Sequence, residues 1–326
     1  MEESSDHDIL LPIVLEENIG LPLSINVVSK YWNTELPLSQ AAETVKKYPS
    51  LTNNDNGGSI LIEGIELAER YGLTSLILNS SLPELKKIID MGIPPILILP
   101  GIQNTLQHAS IISGYDDKED TIFHYVPQTS ADELQVGVIP EKKFNDLWSE
   151  DGRLMILLAP ADTLSTIQQN IDQNSQKSNR LCFESERLRL LKYMPDAIES
   201  LKKAIELDKH NSTAYLLIAG ILNEQNSQEC ISYYEQSIQL NNNSYLSFRG
   251  LGNYFLKSKQ YAKAEEYYSQ AISINQTRYG PIYKNRGIVR LEQNKNQKAK
   301  EDFEDYLKYT PKAPDKSSIL SAIREL

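Results

Sequence analysis

Two stretches, "YLSFRGLGNYFLKSKQYAKAEEYYSQAISINQ" (residues 245–276) and "PIYKNRGIVRLEQNKNQKAKEDFEDYLKYTP" (residues 281–311), decide how the carboxy-terminal half folds. They superimpose at a spacing of 35 residues, so that Gly252 matches Gly287, Ala264 matches Ala299, Tyr268 matches Phe303 and Phe248 matches Tyr283. Small residues at matched places let two helices approach closely, and aromatic residues at the others fill the space between them. The pattern predicts a chain of helical hairpins stacked one on the next.

Two looser copies precede these. "YLLIAGILNEQNSQECISYYEQSIQLNNN" places Gly220, Cys230, Tyr234 and Ser237 at comparable positions across a shortened turn. "MPDAIESLKKAIELDKHN" supplies Ala197, Leu201 and Ala204, the signature of the second helix of an earlier hairpin. Cys230 falls in a small-residue packing slot, which predicts a buried, inert thiol. The repeat resembles the tetratricopeptide repeat, whose Gly, Ala and aromatic positions recur on a 34-residue frame. That resemblance implies a concave groove for a protein or an extended peptide, with packing against the first half as the alternative use. Arg249, Lys284, Arg286 and Arg290 lie on the first helices of the two clear repeats and are the candidates to meet a carboxylate or an acidic surface.

The first half reads differently. A helix is predicted through "LSINVVSKYW" after Pro22, a second through "LPLSQAAETVKKYP" and a third through "GGSILIEGIELAERYG". A strand "LTSLILNS", a helix "SLPELKKIIDMG" and a strand "IPPILILPG" follow; "HASIISGYDD", "TIFHYVPQ" and "LMILLAP" supply further strands. Helices first and strands after predict an α+β domain with a mainly antiparallel sheet.

This order resembles the papain-like C39 peptidases, which process bacteriocin and double-glycine leaders, over roughly residues 10–160. Pro22 with its helix, the "GGS" opening, "GIPPILIL", "HASIISGYDD" and Pro127 carry the resemblance. It implies a cysteine nucleophile at the start of the first helix, a histidine opening a strand that ends in Gly-Tyr-Asp, and an aspartate on the next strand. Anchoring on Pro22 puts Gly20 at the cysteine position, and hydrogen cannot attack a carbonyl. His108 fits the family histidine, whereas Val126 stands near the aspartate position, with His124 and Tyr125 beside it. The oxyanion glutamine is also lacking: Glu16 or Glu17 would bring charge of the wrong sign. Only the base of a nucleophile–base–orienter set survives. Ser24 lies one turn beyond the nucleophile position and does not replace it. The expected product is a non-catalytic cleft that holds peptide. The alternative is a C39-like peptidase or hydrolase using His108 and an unrecognised nucleophile.

Charge and composition narrow the rest. Residues 1–160 carry 10 Lys/Arg against 24 Asp/Glu, whereas residues 161–326 carry 23 against 20, which disfavours nucleic acid as a partner of the acidic half. The four histidines, at 7, 108, 124 and 210, form no close ligand pair, and the two cysteines lie at 182 and 230, so no metal or other cofactor is expected. "GYDDKEDT" predicts a solvated hairpin turn, and "LTNNDNGGS" a turn without the pattern of a phosphate loop. No apolar run is long enough to span a membrane. The visible amino terminus, "MEESSDHDILLP", carries no signal, which points to the cytoplasm, or to export if a signal has been removed. The expected organisation is a papain-like α+β C39-like domain with an antiparallel sheet over 1–160 and a linker over 161–180. An all-α tetratricopeptide array of about three repeats plus a partial one fills 181–326. Together they form an adaptor or scaffold that binds protein or extended peptide.

Overall fold

A computed structural model describes residues 7–12, 22–37, 39–40, 61–101, 107–126 and 135–326. It divides into two compact units: the first comprises residues 1–98, 109–148 and 153–214, and the second 99–108, 149–152 and 215–326.

The first unit opens with α1 (Leu23–Tyr31), which follows Pro22 as the sequence predicts. Its residues from Ser24 to Ser29 are all buried, making it a core helix. α2 (Leu61–Arg70) crosses it at Gly64, where an added Cβ would lie 3.0 Å from Pro22 Cδ and 3.1 Å from Ile25 Cγ1. β1 (Thr74–Asn79) and α3 (Leu82–Asp90) come next. A capping box starts α3: Ser81 Oγ accepts from the Glu84 amide while the Glu84 carboxylate accepts from the Ser81 amide at 3.0 Å. Then follow β2 (Ile96–Pro100), β3 (Gln107–Asp116), β4 (Thr121–Val126), β5 (Gln135–Pro140), α4 (Glu141–Glu150) and β6 (Leu154–Ala159).

The strands form one six-stranded sheet in the order β1-β6-β2-β3-β4-β5. β6 runs antiparallel to both β1 and β2, and β4 antiparallel to both β3 and β5. All six residues of β6 are buried, as befits a central strand. The acidic "DKED" segment is an exposed turn joining β3 to β4, organised by Asp116, which accepts from the amides of Lys118 and Glu119 at 2.7 and 3.1 Å. β5 and α4 are additions to the sequence reading. The expected helix through residues 41–48 and the "LTNNDNGGS" turn lie outside the described residues.

Residues 161–180, read as a linker, carry α5 (Ala161–Asn170) and the beginning of α6 (Gln173–Leu190). Asp172 caps α6 by accepting from the amides of Asn174 and Ser175. α6 pairs with α7 (Met194–Leu207) as the missing first helix of the earliest hairpin. Polar groups hold this hairpin to β1 and α2. Asn179 donates to the Ile77 carbonyl at 3.1 Å, while Arg180 makes a two-point contact with Glu69 at 2.8 and 2.9 Å. Arg187 also grips Glu66, at 2.8 Å.

The repeats continue through α8 (Ser212–Glu224) with α9 (Cys230–Leu240), α10 (Tyr245–Lys257) with α11 (Tyr261–Ile274), and α12 (Pro281–Leu291) with α13 (Asn296–Tyr309). α14 (Lys316–Glu325) ends the array. Each hairpin turn contains one residue at positive φ: Lys192, Asn226, Lys259 and Asn294, between 55° and 68°. The recurrence shows one turn geometry used four times. Matched glycines serve close approach, since a Cβ on Gly252 would lie 2.5 Å from the Tyr268 ring and one on Gly287 2.7 Å from Phe303. Ala264 and Ala299 are fully buried.

Candidate functional site

His108 is the second residue of β3 and belongs to the second unit together with Pro100, Ser149–Gly152 and most of the repeats. Its Nδ1 lies 2.7 Å from the Pro100 carbonyl oxygen. A carbonyl only accepts, so Nδ1 carries the proton and the neutral ring keeps its lone pair on Nε2. Burial lowers the His108 pKa; the Pro100 carbonyl opposes this, and the positive charge of Arg278 adds to it. The imidazole is thus a neutral acceptor at physiological pH, oriented by a backbone carbonyl where a catalytic histidine has a carboxylate.

Gly20, expected at the family cysteine position, lies outside the described residues. Val126, expected near the family aspartate position, ends β4. His124, one of its neighbours, has Nδ1 3.5 Å from Ser110 Oγ. Ser24 is buried with its hydroxyl unbonded among the described residues. Both thiols are buried: desolvation raises the Cys182 pKa far beyond its ordinary value and that of Cys230 to about 11. Neither forms thiolate readily at neutral pH.

A buried ion cluster stands beside His108. The Arg278 guanidinium donates to Glu150 at 2.7 Å and to both Asp151 oxygens at 2.9 and 3.1 Å, and all three side chains are almost wholly buried. Asn275 donates to the second Glu150 oxygen at 2.8 Å, and Gln107, next to His108, donates to Asp151 at 2.8 Å. Burial pushes both carboxyls above their ordinary values against the pull of the guanidinium. Sequence reading missed this cluster. Arg278 sits 128 residues from Glu150, beyond any local pattern.

The four array cations fall into two groups. Lys284 pairs with Asp315 at 2.8 Å. Arg286 makes a forked contact with Asp302 at 2.7 and 3.1 Å, and Arg290 bridges Glu265 at 3.0 Å and Asp302 at 2.9 Å. These three meet carboxylates of the array itself. Burial works to raise Glu265, but Lys295, Arg290 and Gln293 outweigh it and hold the carboxyl at about 2. Arg249 differs. Its guanidinium lies 4.6 Å from the centre of the Tyr279 ring, half-buried, and meets no carboxylate among the described residues.

Residues 18–156 match the family described as Peptidase_C39 like, and residues 250–278 match the tetratricopeptide repeat. The chain therefore carries a Peptidase_C39-like domain followed by tetratricopeptide repeats. No curated protein matches it. Solved structures similar to it include a crystal structure of MamA protein, at 18% identity over 45% of this chain and 79% of that one, with a TM-score of 0.41. The pilF protein of Pseudomonas aeruginosa is 19% identical over 47% of this chain and 71% of its own, with a TM-score of 0.42. YrrB, described as a TPR protein with an unusual peptide-binding site, is 18% identical over 49% and 78%, with a TM-score of 0.40. No helix among the described residues is long and apolar enough to cross a membrane.

Proposed function

We propose that the protein is a non-catalytic adaptor that holds a protein or extended peptide segment, joining a C39-like cleft that does not cut to a tetratricopeptide groove. The observation that carries this reading is the state of His108. Its Nδ1 proton is committed to the Pro100 carbonyl, and among the described residues no carboxylate orients the ring. The absence of cysteine from residues 1–160 supports the same reading. A relic of a peptidase that retains its fold retains the means to hold a chain in extended form, and the repeats add a second holding surface. On the array, direct ligand contact falls to Arg249. Lys284, Arg286 and Arg290 act through the carboxylates they hold, setting the charge along the same helices.

One experiment tests both parts. The intact protein serves as bait in extract of its own cells, and mass spectrometry reads the identity of each retained protein and any new chain ends in it. The expected result is a specific partner retained uncut, unaffected by His108→Ala and lost on Arg249→Glu. New chain ends that appear with the intact protein and vanish with His108→Ala would establish a hydrolase and overturn the reading.

A further inference from the structure

Among the described residues, the sheet of the first unit ends on a strand that carries little of the usual protection against pairing. β5 is last in the strand order and, among the described residues, pairs with β4 alone, in a register running from Thr121↔Pro140 to Val126↔Gln135. An edge strand leaves half of its amides and carbonyls without a partner in the sheet. Natural edges are blunted by Lys, by inward charges, by bulges or by a cover. β5 reads Gln-Val-Gly-Val-Ile-Pro, without a charged residue, and its Pro140 stands only at the far end. Val136 and Val138 are 44% and 59% exposed on one face. The opposite face at Gly137 is taken by His124, since a Cβ there would lie 2.2 Å from the His124 Nε2.

The charge around this edge is one-sided. Thr121 pairs with Pro140 and the Glu141 amide donates to the Asp120 carbonyl at 2.7 Å, so the exposed acidic turn stands at the Pro140 end of β5. Lys86 occupies Asp117 and Glu141. Glu119 and Asp120 are exposed and meet no cation among the described residues. From this we propose that β5 is a docking edge for an extended protein segment with alternating apolar residues and a Lys- or Arg-bearing end. Main-chain pairing along β5 supplies the attachment, the two valines receive the apolar residues, and Glu119 with Asp120 receives the cationic end. Charge argues against a second copy of the chain as occupant, because it would bring another first half of net charge −14 to the same edge.

The test uses the full chain and a fluorescein-labelled peptide, Lys-Lys-Val-Thr-Val-Thr-Val. Two further versions are N-methylated at alternate residues, so that each blocks hydrogen bonding along one edge of the peptide. Strand addition uses only one peptide edge, so fluorescence anisotropy is expected to show one methylated form weakened by about tenfold or more and the other close to the parent. Equal affinity of the two methylated forms would overturn the proposal. The double variant Val136→Lys/Val138→Lys, at exposed positions, is expected to weaken the parent peptide by a similar factor with an unchanged melting temperature. Unweakened binding would refute the assignment to β5, and so would a concentration-dependent dimer abolished by the same variant, which would give the edge to a second copy. No repeat residue and no part of the His108 site enters this inference, so its failure leaves the adaptor reading standing.

Discussion

Arg278→Met removes the only cation of the buried cluster while keeping much of its apolar volume. In the native protein the guanidinium faces two carboxylates through contacts of 2.7–3.1 Å, with side-chain exposure of 0% at Arg278, 3% at Glu150 and 1% at Asp151. Removing one partner of a buried ion pair costs about 3–5 kcal/mol, because the group left behind has neither water nor counter-charge. Two carboxylates remain here, which places the expected loss at pH 7 in the upper part of that range. At roughly 3 °C per kcal/mol, the melting transition of the repeats should fall by about 10–15 °C.

The loss has a defined pH dependence. Burial already raises both carboxyls, and the guanidinium is the main group that opposes it, helped by Asn275 at Glu150 and Gln107 at Asp151. In the variant the desolvation push outweighs the hydrogen bonds from Asn275 and Gln107 that still oppose it, so the folded state binds protons more tightly than the unfolded chain. Stability of the variant should therefore rise as pH falls from 7 towards the ordinary carboxyl range, narrowing the gap to the native protein. Urea unfolding followed by circular dichroism at pH 7, 6 and 5 measures it, and adding Glu150→Gln and Asp151→Asn to Arg278→Met should recover most of the loss. A loss below about 1 kcal/mol, or one independent of pH, would refute the assignment of buried charge to this cluster.

Two further outcomes follow from the array. Gly252→Ala sets a methyl group 2.5 Å from the Tyr268 ring and should destabilise by about 1–3 kcal/mol in spite of the better helix propensity of Ala; adding Tyr268→Ala should make the pair less costly than the sum of the single changes, measured by thermal unfolding. Glu265→Gln should cost about 1–2 kcal/mol at neutral pH. Because the folded carboxyl is held at about 2, below its ordinary 4.5, that difference should be full above pH 4.5 and vanish as pH falls towards 2, read from melting temperatures of both proteins across that range.

The clear repeats were legible because Gly252, Gly287, Ala264 and Ala299 do one thing each: they admit an aromatic ring or a helix too close for a larger side chain. The turns were not, since Lys192 and Lys259 adopt positive φ without being residues that signal it. α6 hid for another reason. Its buried residues include Ser178, Asn179 and Ser185, which satisfy themselves by hydrogen bonds, so its inner face lacks the apolar period that announces a packed helix. β5 contains a Gly and ends in a Pro, both of which read as punctuation, and only an edge position tolerates the pair. α4 did carry a signal in Phe144 and Trp148, four residues apart and both fully buried.

The site residues expose a sharper limit. Sequence places a cation on a helix but does not say whether the same chain supplies its counter-charge. Arg286 and Arg290 find theirs in Asp302 and Glu265, on neighbouring helices 16 and 25 residues away. Arg249, which the 35-residue spacing matches to Lys284, finds an aromatic ring instead. Lys284 meets Asp315, whereas the place matching Asp315 one repeat earlier is Gly280, which brings no carboxylate to Arg249. A guanidinium stacked on tyrosine keeps its donors for an incoming group, whereas one locked in a fork must first surrender a carboxylate that is itself buried. Matched positions in consecutive repeats thus lead to different roles, and what separates them is a single residue, Asp315 against Gly280, 31 residues further along the chain.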